Sequence, residues 1–162
     1  MRSGGCREAS GHYWEETVHS MQNLRSDLEK STRRVFKIFF GSRLYLRKNG
    51  PVKNGVDMVG VDMTMDFNGK KRISLFMDRS TVLSVRETMG AGTADDPEKD
   101  YDIIGEMANI IAGNALSRNA EGISLSPPGR SDGPGNGILL TSLDFSSKAG
   151  AIRITVEDLR AS

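Results

Sequence analysis

The sequence lacks the features that mark several large classes of protein. Cys6 is its single cysteine, so neither an internal disulfide nor a multi-cysteine metal site is open to it. Its two histidines, His12 and His19, stand near the N-terminus without other ligand types beside them, which favours solvated side chains over a metal site. No apolar run approaches the roughly 18 residues that a membrane span needs. Charge of one sign is missing too: 22 Lys and Arg against 21 Asp and Glu leave a net +1, which gives no general attraction to nucleic acid or to a membrane surface. Residues 1–20 mix Arg2, Arg7, Glu8, Glu15 and Glu16 with small polar residues and have no apolar stretch like that of a signal peptide. We therefore expect a cytoplasmic protein whose partner is another protein or a small molecule. Residues 1–20 read as a loose N-terminal extension. Residues 21–162 suit a single domain, long enough to bury about two-thirds of the unfolded surface.

What is present is a regular succession of patterns. From Met21 to Phe40, Leu24, Leu28, Val35, Phe36 and Phe39 recur at helical spacing, and Gly41 follows as a stop. The Arg and Lys residues of this helix, Arg25, Lys30, Arg33, Arg34 and Lys37, read as a solvated face or a dock for an acidic partner. Arg43 to Lys48 forms a short strand ended by the turn residues Asn49-Gly50-Pro51. Val59, Val61, Met63, Met65 and Phe67 alternate with small or polar residues, the period of a strand with one buried face. Asn68-Gly69 then tolerates the positive φ of a type I′ hairpin turn, and Ile73, Leu75 and Met77 carry the alternation back. Here methionine is a core residue, not a metal ligand.

Ser80 or Thr81 can cap a second helix in which Val82, Val85 and Met89 share a face, with Arg86 at its margin and Gly90-Ala91-Gly92 as the stop. The Gly- and Pro-rich run Pro127 to Gly137 reads as a mobile loop, and not as a phosphate cradle, because a strand and not a helix follows it. Ile138 to Phe145 and Ala151 to Leu159 form a hairpin around Lys148-Ala149-Gly150. The order of elements predicts an α+β fold, with helices packed on a mostly antiparallel sheet.

The stretch from Asp102 to Ser117 is a helix with three faces, and Asp96-Pro97 allows it to begin a turn or more earlier. At about 100° per residue, Ile103, Met107, Ile110 and Ile111 fall in one apolar arc with Ile104 at its edge. Gly105, Ala108, Ala112 and Ala115 make a strip of small side chains that admits a close neighbour. Asp102, Glu106, Asn109 and Gly113 make the third face. Glycine gives up roughly 1 kcal/mol there relative to alanine, which a solvated face does not require and a partner pressed against Glu106 and Asn109 does.

Asp102-x-x-x-Glu106-x-x-Asn109, continued by Ile110-Ile111-Ala112-Gly113-Asn114-Ala115, resembles the signature helix of the CheC, CheX and FliY family of phosphatases, which dephosphorylate the response regulator CheY. The continuation is most similar to the CheX branch, and the likeness runs from about Met21 to the C-terminus. It implies a CheC/CheX-like fold, a homodimer, and a CheY-like receiver domain as partner and substrate. It also implies that Glu106 pairs with a lysine of the receiver; beside it, the donor and acceptor of the Asn109 amide suit it to position the attacking water, Gly113 leaves room for the partner, and Asp102 reads equally as a binding residue or as a charge favourable near the helix start. No metal or cofactor of the chain's own is implied, since the Mg2+ of the reaction belongs to the receiver. Some relatives carry a second Glu-x-x-Asn helix. Here Glu29 is followed three residues later by Thr32, so one site is expected. Family members place a short apolar segment and a proline after the helix, and Ile123-Ser124-Leu125-Ser126-Pro127 is the nearest match. Two other readings remain open at this point: a binding or flagellar-switch scaffold module of the same fold that docks a receiver without hydrolysis, and a structural dimer whose polar stripe is merely solvated.

Overall fold

The structure, a computed structural model, describes residues 9–48, 57–92, 94–118 and 122–160, with the side chains of residues 9–17 excepted. Helix α1 spans Ala9–Phe40, so it starts well before Met21 and takes in part of the stretch expected to be loose. Cys6 and the Asn49-Gly50-Pro51 turn lie outside the described residues. Leu24, Leu28, Val35 and Phe36 supply the buried face of α1. Phe39, expected on that face, is 52% exposed, and Phe40 packs against the Phe36 ring in its place, with centroids 5.3 Å apart. Gly41 ends the helix at φ +59°, its amide donating to the Lys37 carbonyl at 3.2 Å and the Ser42 amide to that of Phe36 at 3.2 Å.

Among the described residues six strands form one antiparallel sheet: β1 Tyr45–Leu46, β2 Met58–Asp66, β3 Lys70–Asp78, β4 Gly129–Ser131, β5 Ile138–Ser146 and β6 Ala151–Asp158. Their order across the sheet is β1-β5-β6-β3-β2-β4. Strands β2 and β3 pair from Met58 opposite Asp78 to Asp66 opposite Lys70. Asn68 and Gly69 do take positive φ, +49° and +97°. The connection, however, is Phe67-Asn68-Gly69, one residue longer than a two-residue type I′ loop. The stretch read as a mobile loop contains β4, in which Arg130 stands opposite Val61 of β2.

Helices α2 Arg79–Thr88 and α3 Pro97–Leu116 complete the elements among the described residues. The cap of α2 is Asp78 and not Ser80 or Thr81: its Oδ1 accepts from the Thr81 amide at 2.9 Å. Val82 and Val85 are buried, whereas Met89, expected beside them, is the C-cap and 50% exposed. The inward residues of β2, β3, β5 and β6 join the apolar faces of all three helices in one core. Between α1 and α3 the contact is made by small groups. Ser31 Oγ donates to the Ile111 carbonyl at 2.9 Å, Thr32 Oγ1 turns back to Leu28 O at 2.6 Å, and Ala108, Ala112 and Ala115 are buried.

Candidate functional site

The site helix α3 is fixed at its start before its outer face is reached. Asp96 caps it, Pro97 stands in the first turn, and Glu98 and Asp100 put negative charge near the positive end of the helix dipole. Asp100 is itself withdrawn from water. Its Oδ1 accepts from Arg86 Nη1 at 3.0 Å and its Oδ2 from Arg79 Nη1 at 3.4 Å. Arg86 is 1% exposed, and its Nη2 also donates to the carbonyl of Ala94. A residue whose spacing puts it at the margin of the buried face of α2 is therefore wholly buried, because an acid fourteen residues further along the chain meets it there.

The inner side of α3 holds it down along its length. Ile103, Ile104, Met107 and Ile111 are buried, each contributing on the order of 1.5–3 kcal/mol through burial. Ile104, placed by spacing at the edge of the arc, is fully enclosed, and Ile110, placed inside it, is 36% exposed. The small-residue strip faces close neighbours, as expected. A Cβ on Gly105 would come within 3.3 Å of Pro128.

Asp102, Glu106 and Asn109 are all exposed on the remaining face, with Gly113 half-buried beyond them. Their spacing keeps the four within an arc of about 60° over roughly 16 Å of helix axis. Neither Glu106 nor Asn109 has a side-chain hydrogen bond or ion pair among the described residues. A Cβ on Gly113 would meet nothing within 4 Å. The face thus offers a free carboxylate, a free amide one turn later, and bare backbone one turn beyond that. A carboxylate supplies only acceptors when ionised, while an amide supplies both a donor and an acceptor.

The flank of this stripe contains residues that spacing alone does not reveal. Strand β4 carries Arg130 over the first turns of α3, where the guanidinium lies 4.5 Å from the Tyr101 ring centroid and pairs with Glu98. The hydrogen bond that Arg130 donates to Glu98 raises the pKa of Arg130, with the fields of Glu98, Tyr101 and Asp102 adding to it. No local pattern in the Gly-rich run points to this contact, which depends on the pairing of β4 with β2.

The four stripe residues line neither of two grooves elsewhere on the surface. One, of about 200 Å³, lies between Arg33, Lys37 and Arg43; the other, of about 330 Å³, runs along Thr64–Asp66 and Ser124–Ser126. The stripe is a convex helix face, suited to a macromolecular partner more than to a small molecule. Among the described residues there is no group of three or more His, Cys, Asp and Glu placed to hold a metal ion, and no helix long and apolar enough to cross a membrane.

A family model described as "Chemotaxis phosphatase CheX" matches residues 60–143, just over half of the chain and including the whole of α3. A search of curated proteins finds no match. Among solved structures, the chemotaxis protein CheX from Vibrio vulnificus is similar at a TM-score of 0.67 and 19% identity, over 83% of this chain and 97% of that one. CheX from Desulfovibrio desulfuricans is similar at 0.64 and 18% identity, over 82% and 97%. The CheX-CheY-BeF3-Mg2+ complex from Borrelia burgdorferi is similar at 0.60 and 18% identity, over 85% and 96%. These likenesses establish the fold: helices on an antiparallel sheet, as the order of elements predicts.

Proposed function

We infer, because this chain belongs to the chemotaxis phosphatase CheX family, that it hydrolyses the aspartyl phosphate of a CheY-like receiver domain. The observation that carries the reading is the pair Glu106 and Asn109, exposed one turn apart on α3 with their polar groups unclaimed. Docking brings α3 against the receiver's phosphorylation site, and bare Gly113 lets the two backbones approach. Glu106 accepts from a lysine of the receiver and sets the register. Asn109 accepts from a water with its carbonyl and steadies it in line with phosphorus, without needing to remove its proton.

The water oxygen forms a bond to phosphorus as the bond from phosphorus to the aspartyl oxygen breaks. The products are the free aspartate carboxylate and dihydrogen phosphate, the latter carrying both protons of the water. The Mg2+ that balances charge in this step is part of the receiver and not of this chain. Asp102, at the start of the stripe, adds to the binding face.

The protein works in the cytoplasm as a homodimer. What supports a second copy is the outer edge of β5, which among the described residues is met by β1 and Arg47 at Asp144 to Ser146, while Ile138, Leu139 and Leu140 are exposed. Sedimentation at micromolar concentration tests the dimer. The phosphatase is tested by the decay of a phosphorylated CheY-like receiver, followed as phosphate release with and without this protein. Faster release supports the reading, and an unchanged lifetime across a panel of receivers contradicts it.

A further inference from the structure

Arg130 is held where a docking partner would meet it. Strand β4 fixes its backbone against Val61, the Tyr101 ring supports the guanidinium at 4.5 Å, and Pro128, two residues earlier, closes over Gly105 of α3. Glu98 and Tyr101 lie on the arc of α3 that adjoins the Asp102, Glu106 and Asn109 stripe. Measured along the helix axis, the guanidinium sits about 10 Å before Glu106. Its side chain is 52% exposed, and its partner Glu98 is 76% exposed. An ion pair so open to water is worth little by itself, and a carboxylate from outside can replace or share it. Lys99, on the opposite flank of the stripe, has no such support among the described residues, where its one ion pair is an exposed contact with Asp96 at 3.6 Å. Arginine also matches a carboxylate with a planar, two-pronged donor set and stacks on an aromatic ring, neither of which lysine does.

We propose that Arg130 is a second docking residue for the receiver, taking an acidic side chain that lies about 10 Å from the lysine bound by Glu106. The inference rests on the docking role given to Glu106. It adds that the receiver is gripped by two opposite charges, one on the stripe and one on its flank. A receiver lacking the acid still presents its phosphate to Asn109 but is bound less tightly, so Arg130 discriminates between receivers more than it speeds the reaction.

The test compares the wild-type chain with Arg130→Glu and the milder Arg130→Gln in steady-state phosphate release from a phosphorylated CheY-like receiver. Arg130→Glu raises KM ten-fold or more, leaves kcat within two-fold, and flattens the dependence of KM on salt. Arg130→Gln does the same to a lesser degree, and decides the matter if the reversal unfolds the protein. Reversing the receiver carboxylate to lysine restores the KM of Arg130→Glu. An unchanged KM, or a fall in kcat at constant KM, overturns the inference while leaving the phosphatase intact. If the wild-type chain hydrolyses nothing, the proposed function fails separately. Affinity for the beryllofluoride-activated receiver then reads Arg130 directly: weaker binding by Arg130→Glu upholds its docking role, and equal binding overturns it.

Discussion

Arg86 of α2 and Asp100 of α3 form an ion pair at 3.0 Å with both side chains almost wholly out of water, 1% and 3% exposed. The pair joins the helix that carries the site to its neighbour, and Arg79 adds a longer contact from the solvent side at 3.4 Å. Removing one partner of a buried pair leaves an uncompensated charge, at a cost of about 3–5 kcal/mol. Arg86→Met is expected to destabilise by an amount near the lower end of that range, because Arg79 still faces Asp100. Urea unfolding measures it. The double change Arg86→Met with Asp100→Leu removes both charges, and should recover part of the loss.

Asp78 gives a pH-dependent counterpart. Burial pushes its carboxyl pKa up, but hydrogen bonds from Thr81, Ala151 and Ser80 outweigh that, and the net shift is below the ordinary 3.8. A pKa lowered on folding means stability present above the unfolded value and lost as pH falls through the folded one. Asp78→Ala, which removes the cap of α2, should cost about 1 kcal/mol at neutral pH. That difference should narrow below about pH 4, in denaturant melts run from pH 7 to pH 2.

Gly113→Leu separates binding from folding. Nothing lies within 4 Å of the added Cβ, and φ there is not in the left-handed region. Replacing glycine in a helix interior gains up to about 1 kcal/mol, so the variant should melt no lower than wild type. Against a receiver, the new side chain blocks close approach and binding should fall at least ten-fold in a titration with the activated receiver. Wild-type affinity would show that the partner does not contact this face.

The features of the fold that are written locally were legible. Asp96-Pro97 starts α3, Gly41 stops α1, and the alternation from Val59 to Met77 aligns β2 with β3. The exposed stripe of α3 was legible too, since helical period alone groups Asp102, Glu106, Asn109 and Gly113. What was missed depends on residues distant in sequence. Arg86 is buried because Asp100 reaches it, and β4 is a strand because β2 offers it an edge, although its own Gly129-Arg130-Ser131 has no strand pattern. Asp78 caps α2 because β3 runs directly into the helix, with no residue left for a separate capping turn. Phe39 and Met89 fall within their arcs by period but stand where α1 and α2 end, at Phe40 and Thr88, whereas Ile110 stands at the outer limit of its arc, where the neighbouring element decides burial.

In the proposed mechanism an amide, not a titrating base, does the catalytic positioning. The most direct test is the phosphate-release rate from a phosphorylated receiver with wild type, Asn109→Ala and Asn109→Asp, beside Glu106→Ala as a docking control. Glu106→Ala should raise KM with a smaller effect on kcat. Asn109→Ala should lose about 2–4 kcal/mol of transition-state stabilisation, a fall in kcat of roughly 30- to 1,000-fold, while the activated receiver still binds. Asn109→Asp keeps the size of the side chain, removes its donor and places negative charge near the phosphoryl group, so it should be no better than the alanine variant. Full activity in Asn109→Asp would contradict water positioning by Asn109 and point to a carboxylate base in its place.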